Sequence, residues 1–139
     1  MNKMDLATLD TQKGSDEGFA LELTHPKTGE KIGAVINVLG VDSHQYQAKF
    51  RELQRKRLNQ INKNPRRLLQ TPEQTDAEAL ELLAAVTTGW NGVVLDGKDL
   101  AFSEDAAREL YARFAWIREQ VDQAVGDRAN FLPQAATIS

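Results

Sequence analysis

The sequence predicts an α+β domain, predominantly helical, with an N-terminal β-hairpin, a small central hairpin and three to four α-helices. Three observations predict it. First, apolar and polar residues alternate in Phe19-Ala-Leu-Glu-Leu23 and β-branched residues crowd 31–39, on either side of a turn-rich Thr24–Glu30. Second, apolar residues recur every three or four positions in three later segments, each opened by a residue suited to capping a helix. Third, Asp96-Gly97, the pair that best suits a tight hairpin turn, sits between two short apolar pieces.

Taken in order, residues 1–17 are polar and only weakly periodic, and read as a flexible N-terminal arm that orders on contact. Residues 18–24 then pair with 31–39, where Ile32, Val35, Ile36 and Val38 supply strand propensity and Gly40 ends the strand. Asp42 or Ser43 caps a basic amphipathic helix over 43–62. Its Tyr46, Phe50, Leu53 and Ile61 form one narrow stripe, while Lys49, Arg51, Arg55 and Lys56 point elsewhere. Pro65, within 63–70, breaks the helix because proline lacks an amide donor and restricts the residue before it.

Thr71-Pro72-Glu73-Gln74 opens the second helix, with a hydroxyl cap, proline at the first helical position and a glutamine able to reach back. The helix is expected to run to about Thr88, with Leu80, Leu83 and Val86 or Thr87 on one side. A Gly89-Trp-Asn-Gly92 turn leads into the central hairpin around Asp96-Gly97, beneath which Trp90 is expected as a core plug. Ser103 caps the third helix, and Glu104 and Asp105 suit its positive end. Leu110, Phe114, Ile117, Val121 and Ala124 or Val125 carry its core face. Periodicity leaves open one long helix or two bent near 114–116. Gly126 is a helix stop able to take the left-handed conformation, so 18–126 forms one globular domain and 127–139 a C-terminal tail.

With 139 residues the chain is read as a single domain. It has no cysteine, which removes disulfides, thiolate metal sites and thiol catalysis and suits a reducing cytosol. The N-terminus lacks the basic start and apolar run of a secretory signal. No stretch approaches the ~20 apolar residues that span a bilayer, so a soluble, cytoplasmic protein is expected. The net charge of −3 hides an asymmetry: residues 43–70 hold eight Lys/Arg and one acid, and 71–139 five basic and twelve acidic side chains. Blocks of +7 and −7 can bind an external partner or satisfy each other within or between chains.

No catalytic, cofactor or metal constellation emerges. His25 and His44 lack a second ligand at helical spacing and read as solvated polar positions. Asp42-Ser43-His44 holds the residue types of a hydrolase triad, but sequence neighbours cannot face one another in those roles, so it reads as a capping cluster. There is no glycine-rich phosphate loop, and Asp96–Asp99 lacks the ligand ladder of a calcium loop. The basic helix, residues 49–67, is the one feature that suits nucleic acid, yet it matches no recognition module and lacks aromatic interleaving. Trp116 stands at the edge of the last helical stripe, half-buried or an interface anchor.

Three segments resemble a known family when taken in order: LTHPKTGEKIG in the first hairpin, LELLAAVTTGWNGVVLDGKDLAFS in the centre, and ELYARFAWIREQVDQAVGDRANFL near the end. Over most of 18–132 the chain resembles the tail assembly chaperones of long-tailed, siphovirus-like bacteriophages. Where that family often has proline between the aromatics of Phe-x-Trp-Ile, this chain has Ala115, which favours a continuous third helix. The resemblance implies a non-catalytic protein of the infected cell's cytoplasm. It would bind the tape measure protein, keep it soluble, help tail tube subunits assemble around it, and be absent from the finished virion. Self-association would multiply weak contacts along such a client. Two other readings stand beside it: a nucleic-acid-binding phage protein using 49–67, and a structural tail or head-completion protein retained in the virion. The interaction residues expected from the sequence are Trp116, Arg128, Asn130, Phe131 and Leu132, with Arg55 and Lys56 on the basic helix. An aromatic-aliphatic pair in a polar tail exceeds what a helix end needs, so 128–132 is expected either to dock over the core or to form part of a client or self-association surface.

Overall fold

A computed structural model describes residues 3–64 and 71–132. Its elements are α1 (Thr11–Glu17), β1 (Phe19–Thr24), β2 (Lys31–Val38), α2 (His44–Lys63), α3 (Pro72–Ala85), β3 (Thr87–Asn91), β4 (Val94–Leu95), β5 (Lys98–Asp99), α4 (Glu104–Arg113) and α5 (Ala115–Gly126). Short 3-10 turns occupy Leu6–Leu9 and Arg128–Phe131. The α+β, predominantly helical class read from the sequence is what the structure shows.

The first hairpin forms as the alternation requires, with Phe19 opposite Val38 and Leu21 opposite Ile36. Leu23, Ala34, Ile36 and Val38 turn to the core, and Ala20 and Glu22 to solvent. Ser43 caps α2 by accepting from the Tyr46 amide, which leaves Asp42 free for another role. Thr71 and Gln74 close the expected capping box on α3. The helix-breaking role given to Pro65 lies outside the described residues; α2 ends at Lys63.

Four features differ from the sequence reading. Within the expected arm, Asp10 caps α1 through the Gln12 and Lys13 amides, Gly18 closes it at φ 97°, and Ser15 is fully buried. Helix α3 stops at Ala85, where the Thr87 hydroxyl donates to the Leu83 carbonyl. The next five residues form β3, a third antiparallel strand on β2 that puts Trp90 opposite Ile36. The central hairpin is thus only β4–β5 around Asp96-Gly97, and Trp90 plugs the core beside it, donating its indole N–H to the Leu100 carbonyl at 2.8 Å. Of the two forms left open for the last helix, one long or two bent near 114–116, Ala115 favoured the continuous one, and the structure has the other, broken at Phe114 (φ −117°, ψ 93°). The break lets α4 pack on α3 while α5 crosses beneath β1 and β2, which one straight helix cannot do. Finally, Gly126 ends α5 without a positive φ; Asp127 turns the chain and caps the following 3-10 turn through the Ala129 amide. The chain therefore has five helices among the described residues where three to four were expected.

The core lies between the inner face of the β1-β2-β3 sheet and α3, α4 and α5, with Ile36, Val38, Val86, Ala107, Tyr111 and Val121 fully enclosed. Tyr111 is the largest of these. Its hydroxyl lies 2.7 Å from Thr87 Oγ1, whose own proton goes to Leu83, so the phenol donates.

Candidate protein-interaction site

The residues expected to carry binding fall in three places. Arg128, Asn130, Phe131 and Leu132 stand together in the C-terminal turn, and the first three are committed within the molecule. Phe131 is 2% exposed, edge-on to Phe19 with ring centroids 6.1 Å apart. Arg128 grips Asp42 through Nε at 2.7 Å and a terminal nitrogen at 3.0 Å. Asn130 donates to the Ala124 carbonyl at 3.1 Å. The turn has docked back over the core, one of the two outcomes expected for it, and Leu132 is half-buried at its end.

Asp42 is the keystone of this region. One of its carboxylate oxygens accepts from Arg128 and also from the Thr11 hydroxyl at 2.6 Å, so a single side chain ties α1 and the C-terminal turn to the loop before α2. The Arg128 hydrogen bond, and after it the Thr11 bond, hold this carboxyl below its ordinary value. Nearby, the Asp16 carboxylate accepts from the His44 amide at 2.8 Å and lies 2.7 Å from His44 Nδ1. The His44 backbone bond leads in lowering the Asp16 pKa. His25 is occupied by its own turn, its Nδ1 accepting from the Lys27 amide. Among the described residues no group of three or more His, Cys, Asp or Glu is placed to hold a metal ion, and no helix is long and apolar enough to cross a membrane.

Trp116 packs half-buried on the edge of the core. It lines an apolar recess of about 330 Å³ with Leu23, Leu110 and Phe114, whose rim carries the exposed Ile32 and Val94.

Arg55 and Lys56 lie on the outer half of α2, where most side chains from Gln54 to Asn64 are exposed. Of the stripe expected to face the core, only Leu53 is buried; Tyr46 and Ile61 are half-covered and Phe50 is 42% exposed. The stripe faces α3 and leaves a groove of about 170 Å³ between the two helices, with Phe50, Leu53, Ala79 and Leu82 among its lining residues and the Arg57–Glu78 ion pair (2.8 Å) across it. Leu58, eight residues beyond Phe50 and about 80° further round the helix, lies outside the groove's lining and is 58% exposed.

Much of the basic block is neutralised internally. Lys49 pairs with Glu52 and Glu81, Lys56 with Glu52, and Arg57 with Glu78. Lys49, then Lys56, hold the Glu52 carboxyl below its usual range. Glu81 also receives Arg108 Nε at 2.6 Å, an ion pair lying off the hydrogen-bond axis, which joins α2, α3 and α4. Arg118 pairs with Asp76 across α5 and α3. Arg51 and Arg55 make no ion pair among the described residues, and both are exposed. The sequence reading names Arg55, which lines a separate recess with Lys49, Glu52 and Glu104, and misses the exposed Phe50 and Leu58. Leu58 carried a signal, being the apolar residue on this helix that falls off the stripe.

Comparison with known proteins finds no family model, curated protein or solved structure that matches the chain.

Proposed function

We propose that this chain is a tail assembly chaperone of a long-tailed bacteriophage or prophage. In this reading it binds the tape measure protein in the cytoplasm of the infected host, keeps it soluble and assists tail tube assembly around it. It works by binding and not by catalysis, and leaves before the virion is complete. The ordered resemblance of three segments motivates the reading. The observation that carries it is the open groove between α2 and α3, floored by Phe50, Leu53 and Leu82, with Phe50 left 42% exposed. An elongated client that aggregates through its helical apolar faces would be masked by laying one such face into a groove of this kind.

The test is co-expression with the tape measure protein of the same phage gene cluster. The client is expected in the soluble fraction, and co-purifying, only when this chain is present. A client equally soluble without it would remove the proposal, and mass spectrometry of purified particles that finds this chain in stoichiometric amount would favour a structural virion protein.

A further inference from the structure

We infer that α1 is a releasable strap across the C-terminal turn: residues 3–17 swing away about Gly18 while the rest of the fold stays closed, and their release uncovers Phe131. The device belongs to this chain whatever partner it serves.

Helix α1 is held without an apolar anchor. Of residues 3–17 only Ser15 is buried, and Met4, Leu6 and Leu9 stay exposed in the docked form. Among the described residues, the hydrogen bonds from α1 to the rest of the chain all end on Gly40, Asp42 and His44. The Gly40 amide donates to the Ser15 carbonyl at 3.0 Å, the Thr11 hydroxyl donates to Asp42, and Gln12 and Asp16 reach His44. Water replaces each of these on release, so their net hold is small. One group favours release outright. Ser15 Oγ is enclosed with no hydrogen-bond partner among the described residues, and the cost of a hydroxyl kept from water disappears in the open form.

The edge of the moving part is equally defined. Gly18 closes α1 at φ 97°, and Phe19 beside it is already paired with Val38 and edge-on to Phe131. The C-terminal turn keeps its own ties to the body, Arg128 on Asp42, Asn130 on the Ala124 carbonyl and the Phe131 ring on Phe19. What α1 adds is a cover. Gly14 abuts the Phe131 backbone, and Ser15 and the Phe131 ring crowd the same side of Gly40. Lifting α1 therefore opens one wall around Phe131, the aromatic that the sequence singles out for binding, and leaves β1 and the body in place.

Amide hydrogen exchange on the full chain, followed by NMR, tests this, because the loop between β2 and α2 carries its own control. The Leu39 and Val41 amides donate to the Val86 and Val125 carbonyls of the body, whereas the buried Gly40 between them depends on Ser15 of α1. After correction for intrinsic rates, Gly40 is expected to exchange at least about ten-fold faster than both neighbours, with the weaker urea dependence of a sub-global opening. Thr11→Val removes a tie to Asp42 but leaves Arg128 in place, and is expected to speed Gly40 exchange by about two- to ten-fold; Ser15→Ala removes the unpaired hydroxyl and is expected to slow it by a similar factor. Tyr111→Phe weakens the core in the open and closed forms alike. It is expected to speed Leu39 and Val41 and leave Gly40 unchanged.

A Gly40 amide that exchanges at one rate with Leu39 and Val41, and rises with them in Tyr111→Phe, overturns the inference, since α1 would then leave only when the whole fold opens. So does a fast Gly40 that neither Thr11→Val nor Ser15→Ala moves, which would assign the opening to the loop and not to the strap.

Discussion

Gly14→Ala is a substitution for which general helix energetics and this fold predict opposite signs. Gly14 lies in the middle of α1 without a positive φ, so alanine there should stabilise by about 1 kcal/mol through helix propensity alone. In the folded chain, however, a Cβ at position 14 would sit 1.5 Å from the Phe131 carbonyl oxygen and 2.6 Å from its carbon. These are backbone atoms of another segment and cannot rotate away. Ordinary contact begins at 3.4 Å, so the C-terminal turn or α1 must shift by the difference, 1.9 Å. A shift of that size pulls Phe131 out of its site, and exposing a buried phenylalanine costs about 1.5–3 kcal/mol. The net expectation is a loss of about 0.5–2 kcal/mol, or roughly 2–7 °C in Tm for a domain of this size. Thermal and urea denaturation of the wild type, Gly14→Ala, Phe131→Ala and the double variant measure it. In the Phe131→Ala background the docked turn has less to lose, so Gly14→Ala should approach neutrality or become stabilising. A Gly14→Ala protein that melts above wild type would refute the packing of α1 against the C-terminal turn.

Two further outcomes follow from the buried and clasped groups. Asp42→Asn is expected to lower the melting midpoint at pH 7. Because the Asp42 pKa is held below its ordinary 3.8 by Arg128 and Thr11, the stabilisation is present above that value and is lost as pH falls through the folded one, so acid titration of both proteins should bring their midpoints together below about pH 4. Burial pushes the Tyr111 hydroxyl up to about 12 against an ordinary 10.0, so the wild type should lose stability between those pH values, and an absorbance titration should show a late phenol step missing from Tyr111→Phe. The same substitution removes the hydrogen bond to Thr87 and should cost about 1 kcal/mol at neutral pH, read by urea titration.

What the sequence disclosed and what it hid divide along the range of the interactions involved. The caps at Ser43, Thr71 and Ser103 and the turn at Asp96-Gly97 are set by residues within four positions of one another, and all formed where local chemistry puts them. Helix α1 had its local punctuation too, Asp10 before it and Gly18 after it. Its seven residues bury only Ser15, so it has no apolar period to read. Strand β3 was masked by Gly89 and by following directly on the apolar end of α3, with which Val86 and Thr87 could be read; its partner β2 lies some fifty residues earlier. Phe131 was legible as an anomaly, an aromatic in a polar tail, but the cleft that receives it is made by Gly14, Ser15, Gly40 and Phe19, and no local pattern joins these.

The charge blocks show why a sum along the chain is a poor guide to a surface. The segment 43–70 totals +7, which by itself suits a polyanion. Folding places Glu52, Glu78 and Glu81 against Lys49, Lys56 and Arg57, so three of its cations are screened within hydrogen-bonding or ion-pair distance. Folding also divides the remainder: Arg51 is exposed about 100° round α2 from Phe50, and Arg55 lines a separate recess beside Glu52 and Glu104. The groove between α2 and α3 offers apolar surface from Phe50, Leu53 and Leu82, and the cation among its described lining residues, Arg57, is already closed on Glu78. A phosphate backbone laid there would find no uncompensated charge, whereas an apolar helix face finds side chains of its own kind.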